Sequence, residues 1–219
     1  MNQSYLHALG ITYWQQRQTH PIGENAPNTT SGYWDWDTLQ KKVAQCTACG
    51  LHQTRTQTVF GVGDRHAKLM IIGEAPGFHE DQQGEPFVGR AGQLLTAMIK
   101  TIGFDRSQVY IANILKCRPP NNRDPQPEEV KLCTPFLDQQ IALIQPHLLL
   151  AVGRIAAHYL LKTKASLESL RAKMHTYGEQ NIPLIVSYHP AYLLRNPIDK
   201  KKAFLLLTKK FALSIQKHY

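Results

Sequence analysis

Four cysteines are the first chemistry this chain offers: Cys46 and Cys49 form a C-x2-C pair, and Cys117 and Cys133 follow downstream. Two thiolates on one tight turn can face a common metal centre. The Pro-rich stretch RPPNNRDPQP allows Cys117 and Cys133 to meet around the start of a helix. All-thiolate ligation serves either zinc or an iron–sulfur cluster; the spacing alone leans to zinc without separating the two. Unrelated buried thiols are the plainer explanation. Disulfides are not expected, because the N-terminus shows no basic region followed by an apolar stretch.

Three further groups have reactive or base-reading potential. Glu74 lies in GEAPGFHED (Gly73–Asp81), a Gly/Pro-rich turn that GEPFVGRAGQLL (Gly84–Leu95) follows. Its glycines permit close backbone approach, and the turn before the next helix offers N–H groups to a phosphate. Glu80 and Asp81 are carboxylates of the same loop, and either could share a catalytic role with Glu74. Asn113 stands in NILKCRPP, four residues before Cys117, and His189 stands in SYHPAYLLR. Singly, each has a bland reading: a structural histidine, a turn-closing asparagine, a plain strand–turn–helix.

The elements that must position these groups are legible in the hydrophobic pattern. Short apolar runs at Lys68–Gly73, Val109–Ile114, Leu148–Gly153 and Ile182–Ser187 read as buried strands. Helical stretches separate them: Ala91–Gly103, Pro127–Ile144 with proline at its first turn, one ending near Leu161, and a last one over about Lys200–Gln216. This predicts an α/β fold of three αβα layers around a central four-stranded parallel sheet. Ligands of such folds collect at the strand carboxyl ends, where every motif except the first cysteine pair falls. Asp35 or Asp37 is expected to cap a helix through Leu39–Val43. Residues 1–34 read as a short helix and a polar linker, and residues 35–219 as the one domain.

At 219 residues, 42% hydrophobic and 19% charged, the chain is globular rather than disordered. No apolar run approaches a membrane span, so a cytoplasmic protein is expected, and a monomer, since no heptad is evident. The balance of 25 Lys and Arg against 16 Asp and Glu, a formal net charge of +9, attracts polyanions. The cations, Lys116 among them, are spread along the chain, so any binding face must be assembled by folding.

Taken together and in order, C-x2-C, GEAPG-x-x-ED, G-x-PFVG-x-AGQLL, N-x-x-KCRPP, the downstream cysteine and HPAYLLR resemble the iron–sulfur (family 4) uracil-DNA glycosylases, over about residues 40–210. The resemblance implies a uracil-DNA glycosylase-like fold and monofunctional excision of uracil from DNA in base excision repair. It implies catalytic roles for Glu74 and His189, and substrate binding by Ala75, Phe87 and Asn113. Phe87 would stack on uracil, and the Asn113 amide would pair with its edge. It moves the metal from zinc to a [4Fe–4S] cluster on Cys46, Cys49, Cys117 and Cys133. Arg90 and Arg195 are placed against DNA, with Leu193 as a wedge in the opened stack. The competing readings are a relative that binds DNA or uracil without turnover, and a zinc-stabilised nucleic-acid-binding module. The inserted basic loop of the uracil-capturing branch is missing, because NILKCRPPNNRDP runs straight on.

Overall fold

The computed structural model describes residues 34–215. The expected N-terminal helix and nearly all of the linker lie outside them. Asp35 opens the first described helix, α1 (Trp36–Ala44), by accepting the Thr38 N–H at 2.7 Å. Leu39 and Val43, one turn apart on α1, pack on Phe60. There follow β1 (Val62–Gly63), β2 (Leu69–Gly73), α2 (Phe78–Gln83), α3 (Arg90–Thr101), β3 (Tyr110–Asn113), α4 (Pro127–Ile144) and β4 (Leu148–Val152). The remainder is α5 (Arg154–Leu161), α6 (Leu167–Ala172), β5 (His175–Tyr177), β6 (Ile182–Ser187), α7 (Pro190–Arg195) and α8 (Lys200–Ile215).

The strands form one sheet in the order β1-β3-β2-β4-β6-β5. Its inner four, β3, β2, β4 and β6, are parallel and coincide with the four apolar runs. The sheet is nevertheless wider than the expected four strands: β1 and β5 add antiparallel edges. Both are too short, at two and three residues, to leave a periodic signal, and short edge strands limit unwanted pairing. At Gly63 an added Cβ would stand 1.9 Å from the Val109 carbonyl oxygen, so the β1–β3 approach requires glycine.

Alternate residues of each inner strand feed opposite layers. Leu69 and Ile71 of β2 meet Leu95 and Ile99 of α3 and Leu207 and Phe211 of α8. Met70 and Ile72 meet Leu137 and Ile141 of α4 and Ala156 and Leu160 of α5. Each fully buried Leu or Ile contributes about 1.5–3 kcal/mol, so the sheet is clamped from both faces. The register brings the strand ends level: Gly73 pairs with Asn113, and Val152 with Ser187. The chain passes from β2 out to β3 and back across to β4, which makes the β2/β4 crevice a topological switch point.

Candidate active site

Asn113 closes β3 and is 2% exposed. Its Oδ1 is buried without a hydrogen-bond partner, a state that costs about 1–3 kcal/mol unless a ligand supplies the donor. Beside it, Gly73 leaves out a side chain for a reason. A Cβ there would lie 2.4 Å from Asn113 Oδ1 and 2.6 Å from Phe87 Cζ. The aromatic ring and the orphan amide therefore converge over one glycine. Phe87 itself adopts φ +56°, a left-handed conformation rarely taken by a bulky residue. Its backbone carbonyl is crowded by Gly92, where a Cβ would meet the oxygen at 1.7 Å. The PFVG-x-AG spacing thus fixes the ring through a strained loop pressed onto the first turn of α3.

His189 stands across from Phe87, with ring centroids 5.7 Å apart. It caps α7, its Nδ1 accepting the Ala191 N–H at 3.2 Å. An Nδ1 that accepts leaves the single proton of a neutral ring on Nε2, which is then a donor. Burial pulls this imidazole down to about 4, with Arg195 pushing the same way and Glu80 opposing. The ring is neutral throughout the physiological range. Gly153, at φ +99°, gives it room, since a Cβ there would lie 3.1 Å from His189 Cβ.

Glu74 follows β2, and its backbone is held by the Leu115 N–H donating to its carbonyl at 3.0 Å. Burial pushes the carboxyl up to about 7; the Asp124 carboxylate adds to this and the Arg154 guanidinium opposes it. Asp124 and Arg154 are themselves paired at 2.8 Å, joining the Pro-rich loop to the start of α5. Neither was legible as a site residue, because the pair spans 30 positions of chain. The raised pKa fixes a sign. A carboxyl easier to protonate when folded than when unfolded costs stability once ionised, so the penalty is absent in acid and grows as pH rises from 4.5 through about 7. Glu74→Gln is therefore expected to melt higher than the parent above pH 7, with no gain in acid. If the ionised carboxylate is the working form, as the resemblance implies, parental activity is expected to climb with pH through about 7 and the Glu74→Gln variant to show little at any pH. Melting curves and single-turnover rates across pH check both halves.

Glu80 and Asp81 are brought near this site but hold loops together. Glu80 reaches back to the Gly77 N–H at 3.2 Å and across to the N–H groups of Val88 and Gly89 at 3.1 and 3.4 Å, bracing the loop that carries Phe87. Asp81, 1% exposed, accepts the Thr56 N–H through both oxygens at 3.0 and 3.1 Å. Ala75 packs half-buried against the core. Arg90 and Arg195 are exposed at the start of α3 and the end of α7. Leu193 does not match the wedge role: it is 1% exposed, packed with Tyr188 and Ala203 against Leu94. The apolar side chain that this segment leaves in solvent is Ile198, 85% exposed. Lys116, counted among the cations, is 1% exposed; its Nζ donates to the carbonyls of Phe60 and Asn113 at 3.2 and 3.0 Å and to Gln140 Oε1 at 2.6 Å.

Cys46, Cys49, Cys117 and Cys133 line one cavity, together with Val43, His52, Arg55, Leu132 and Phe136. Cys46 and Cys49 are half-buried, Cys117 and Cys133 buried. Arg55 donates to Cys117 Sγ at 2.9 Å, and the Lys116 N–H to Cys133 Sγ at 3.2 Å. Donors aimed at sulfur, in a chamber with no carboxylate in its lining, suit anionic thiolates held by a metal centre. Burial pushes the Cys133 thiol up to about 12, so an adjacent cationic centre is what would keep it ionised.

The sheet and its strand-end site define an α/β protein whose cleft presents an aromatic face, an orphan amide and a neutral histidine donor to a flat ring. A sequence model described as the uracil DNA glycosylase superfamily matches residues 60–211. The chain is 44% identical to the type-4 uracil-DNA glycosylase of Sulfurisphaera tokodaii over 170 residues, covering 74% of this chain and 77% of that protein. It is 42% identical to the type-4 enzyme of Archaeoglobus fulgidus, covering 74% and 84% of the two chains. It is also 42% identical to the type-4 enzyme of Thermotoga maritima, covering 77% and 88%. The chain belongs to the uracil-DNA glycosylase superfamily, in its type-4 branch.

Proposed function

We propose that the chain excises uracil from DNA by hydrolysis of the N-glycosidic bond, leaving an abasic site. The observation that carries the reading is the buried, partnerless Oδ1 of Asn113, converging with the Phe87 ring over Gly73. An amide carries an acceptor and donors on one planar group, matching the N3–H and O4 of uracil. The base must leave the stack to reach it, at a cost of a few kcal/mol, and Phe87 supplies a replacement stacking face. Uracil departs as an anion while the sugar gains oxocarbenium character. The neutral His189 then donates Nε2–H to the charge growing on O2, without competing for the proton of the leaving group. The ionised Glu74 stabilises the sugar cation or orients the attacking water. Lys116, the lysine within the strand-end motifs, is occupied by three acceptors, which favours water over an amine as the nucleophile and excision without strand cleavage.

The four cysteines would hold a [4Fe–4S] cluster. Among the described residues no three His, Cys, Asp or Glu side chains converge on a single-ion site, although all four cysteines line one cavity. Zinc needs its thiolates drawn together at about 2.3 Å from one atom. A cluster takes each thiolate on a separate iron, and four cysteines lining one cavity match that count. The group would supply structural cross-linking of loops rather than a redox step. Thiol ligation fits a reducing cytoplasm. Among the described residues no helix is long and apolar enough to cross a membrane.

Fluorescent duplexes bearing one uracil, treated with protein and then with alkali, test the reading. Alkali-dependent product from the parent, strongly reduced in Glu74→Ala and Asn113→Ala, supports it. Folded brown protein that yields no product sinks it and leaves a binding-only relative.

A further inference from the structure

Phe78 occupies the first position of α2, at one of the two open positions of GEAPG-x-x-ED. Its ring is 51% exposed, although a phenylalanine normally contributes by burial. Its surroundings are ordered and cationic. The Arg118 guanidinium lies 5.1 Å from the ring centroid, and the His79 ring stands edge-on at 5.5 Å. Arg118 is steered by its Nε donating to Asn122 Oδ1 at 2.8 Å. Among the described residues no carboxylate lies within ion-pair distance of Arg118. The patch adjoins the loop that carries Phe87: Phe78 is four residues from Glu74, and His79 Cδ2 comes within 3.5 Å of a Cβ placed on Gly89, at the start of α3. An exposed aromatic face beside an unneutralised guanidinium has the makings of a nucleotide subsite, since a base has a π-face and its phosphate a negative charge.

We propose that Phe78, backed by Arg118, forms a stacking subsite for the nucleobase adjacent to the extruded uracil, with the guanidinium taking the neighbouring phosphate. The inference rests on the uracil-excision reading and deepens it by naming a contact outside the base pocket. Stacking is indifferent to base identity, so the subsite raises affinity without imposing a sequence context. It also favours substrates whose flanking base is free to tilt onto the ring, as in single strands or frayed duplex.

A cycle between protein and DNA tests this. Single-stranded oligonucleotides carry uracil with either a normal nucleotide or an abasic residue immediately 5′ or 3′, and are turned over by the parent, Phe78→Ala and Phe78→Trp. Phe78→Ala is expected to raise KM about 5- to 150-fold, the range found for losing one base–aromatic stack, with the change in KM rather than kcat. One of the two abasic flanks should impose a comparable rise on the parent and add little to Phe78→Ala. Phe78→Trp should restore KM and show fluorescence quenching, relative to the parent's own tryptophans, that the same abasic flank removes. The quenching is read by binding alone, so it remains informative even if no oligonucleotide is turned over. The subsite is overturned if parent and Phe78→Ala suffer equally from each missing base, or if Phe78→Ala lowers kcat at unchanged KM. An exposed aromatic that contacts a protein instead would give the first of these results.

Discussion

Replacing His189 with alanine is expected to lower the single-turnover rate of uracil excision about 10²- to 10³-fold, with much less change in DNA binding. That is the usual loss when one preorganised donor to a developing oxyanion is removed. The ring also caps α7 through Nδ1, and loss of a cap costs about 1 kcal/mol, so alanine alone confounds chemistry with local structure. His189→Asn separates them. A short amide keeps a capping oxygen near the Ala191 N–H but does not reach where Nε2 stands. Both variants should be comparably slow, and only alanine should melt lower. An asparagine variant within tenfold of the parent would show that the donor is not what matters. The pH profile carries the same logic. With the imidazole held down to about 4 and Glu74 up to about 7, the parent should show one ascending limb near pH 7 and none from His189 above it. An active form requiring imidazolium would instead lose rate as pH rises through the ordinary histidine range.

Most of the scaffold was readable because inner parallel strands buried on both faces are continuous apolar runs, and those runs need no tertiary information to be seen. Ile182–Ser187 and Pro127–Ile144 have the bounds the pattern predicts. The edges were not readable, because two or three residues paired on one side carry no period. The site divides the same way. Glu74, Phe87, Asn113 and His189 stand on strand ends or the loops beside them, and folding brings them together. Residues whose role depends on which way a side chain turns were not decidable. Leu193 and Leu194 are adjacent leucines in HPAYLLR, and only packing under Tyr188 assigns the first to the core. Lys116 counts as a surface cation until Gln140 and two carbonyls are seen around it. Glu80 and Asp81 differ from Glu74 only in what their oxygens meet. The Asp124–Arg154 pair that borders Glu74 joins the Pro-rich loop to the start of α5, which no local motif connects.

Cys133→Ala is expected to yield colourless protein that melts more than about 10 °C below the parent or fails to accumulate folded. The side chain itself is small, and its cavity alone would cost about 1 kcal/mol, a shift of a few degrees. The larger effect comes from what the four thiols tie together. Cys46 and Cys49 follow α1, Cys117 follows β3, and Cys133 lies in α4. Without a shared centre, α1 keeps the apolar cluster of Leu39, Val43 and Phe60 and the Trp36 contacts with Phe60 and Tyr110. The segment after the first cysteine pair connects onward, since the Thr56 N–H is held by Asp81. Asp81 stands next to Glu80 in the same helix, and Glu80 accepts the Val88 and Gly89 N–H groups of the Phe87 loop. Losing a metal centre held by the four cysteines would therefore loosen the base pocket from a distance. A structural metal contributes on the order of 10 kcal/mol to folding, comparable to the whole stability of a domain. Cys46→Ser, at the half-buried end of the cavity and with a poorer oxygen ligand in place, should lose less than Cys133→Ala at the buried end. Visible absorbance, melting temperature and excision rate measured on the same preparations separate the possibilities. A colourless Cys133→Ala that melts within two or three degrees of the parent and still excises uracil would mean the thiols are ordinary core residues. Colour lost together with stability, and activity falling with both, would mean the cluster holds the DNA-reading loops in place rather than taking part in the chemistry.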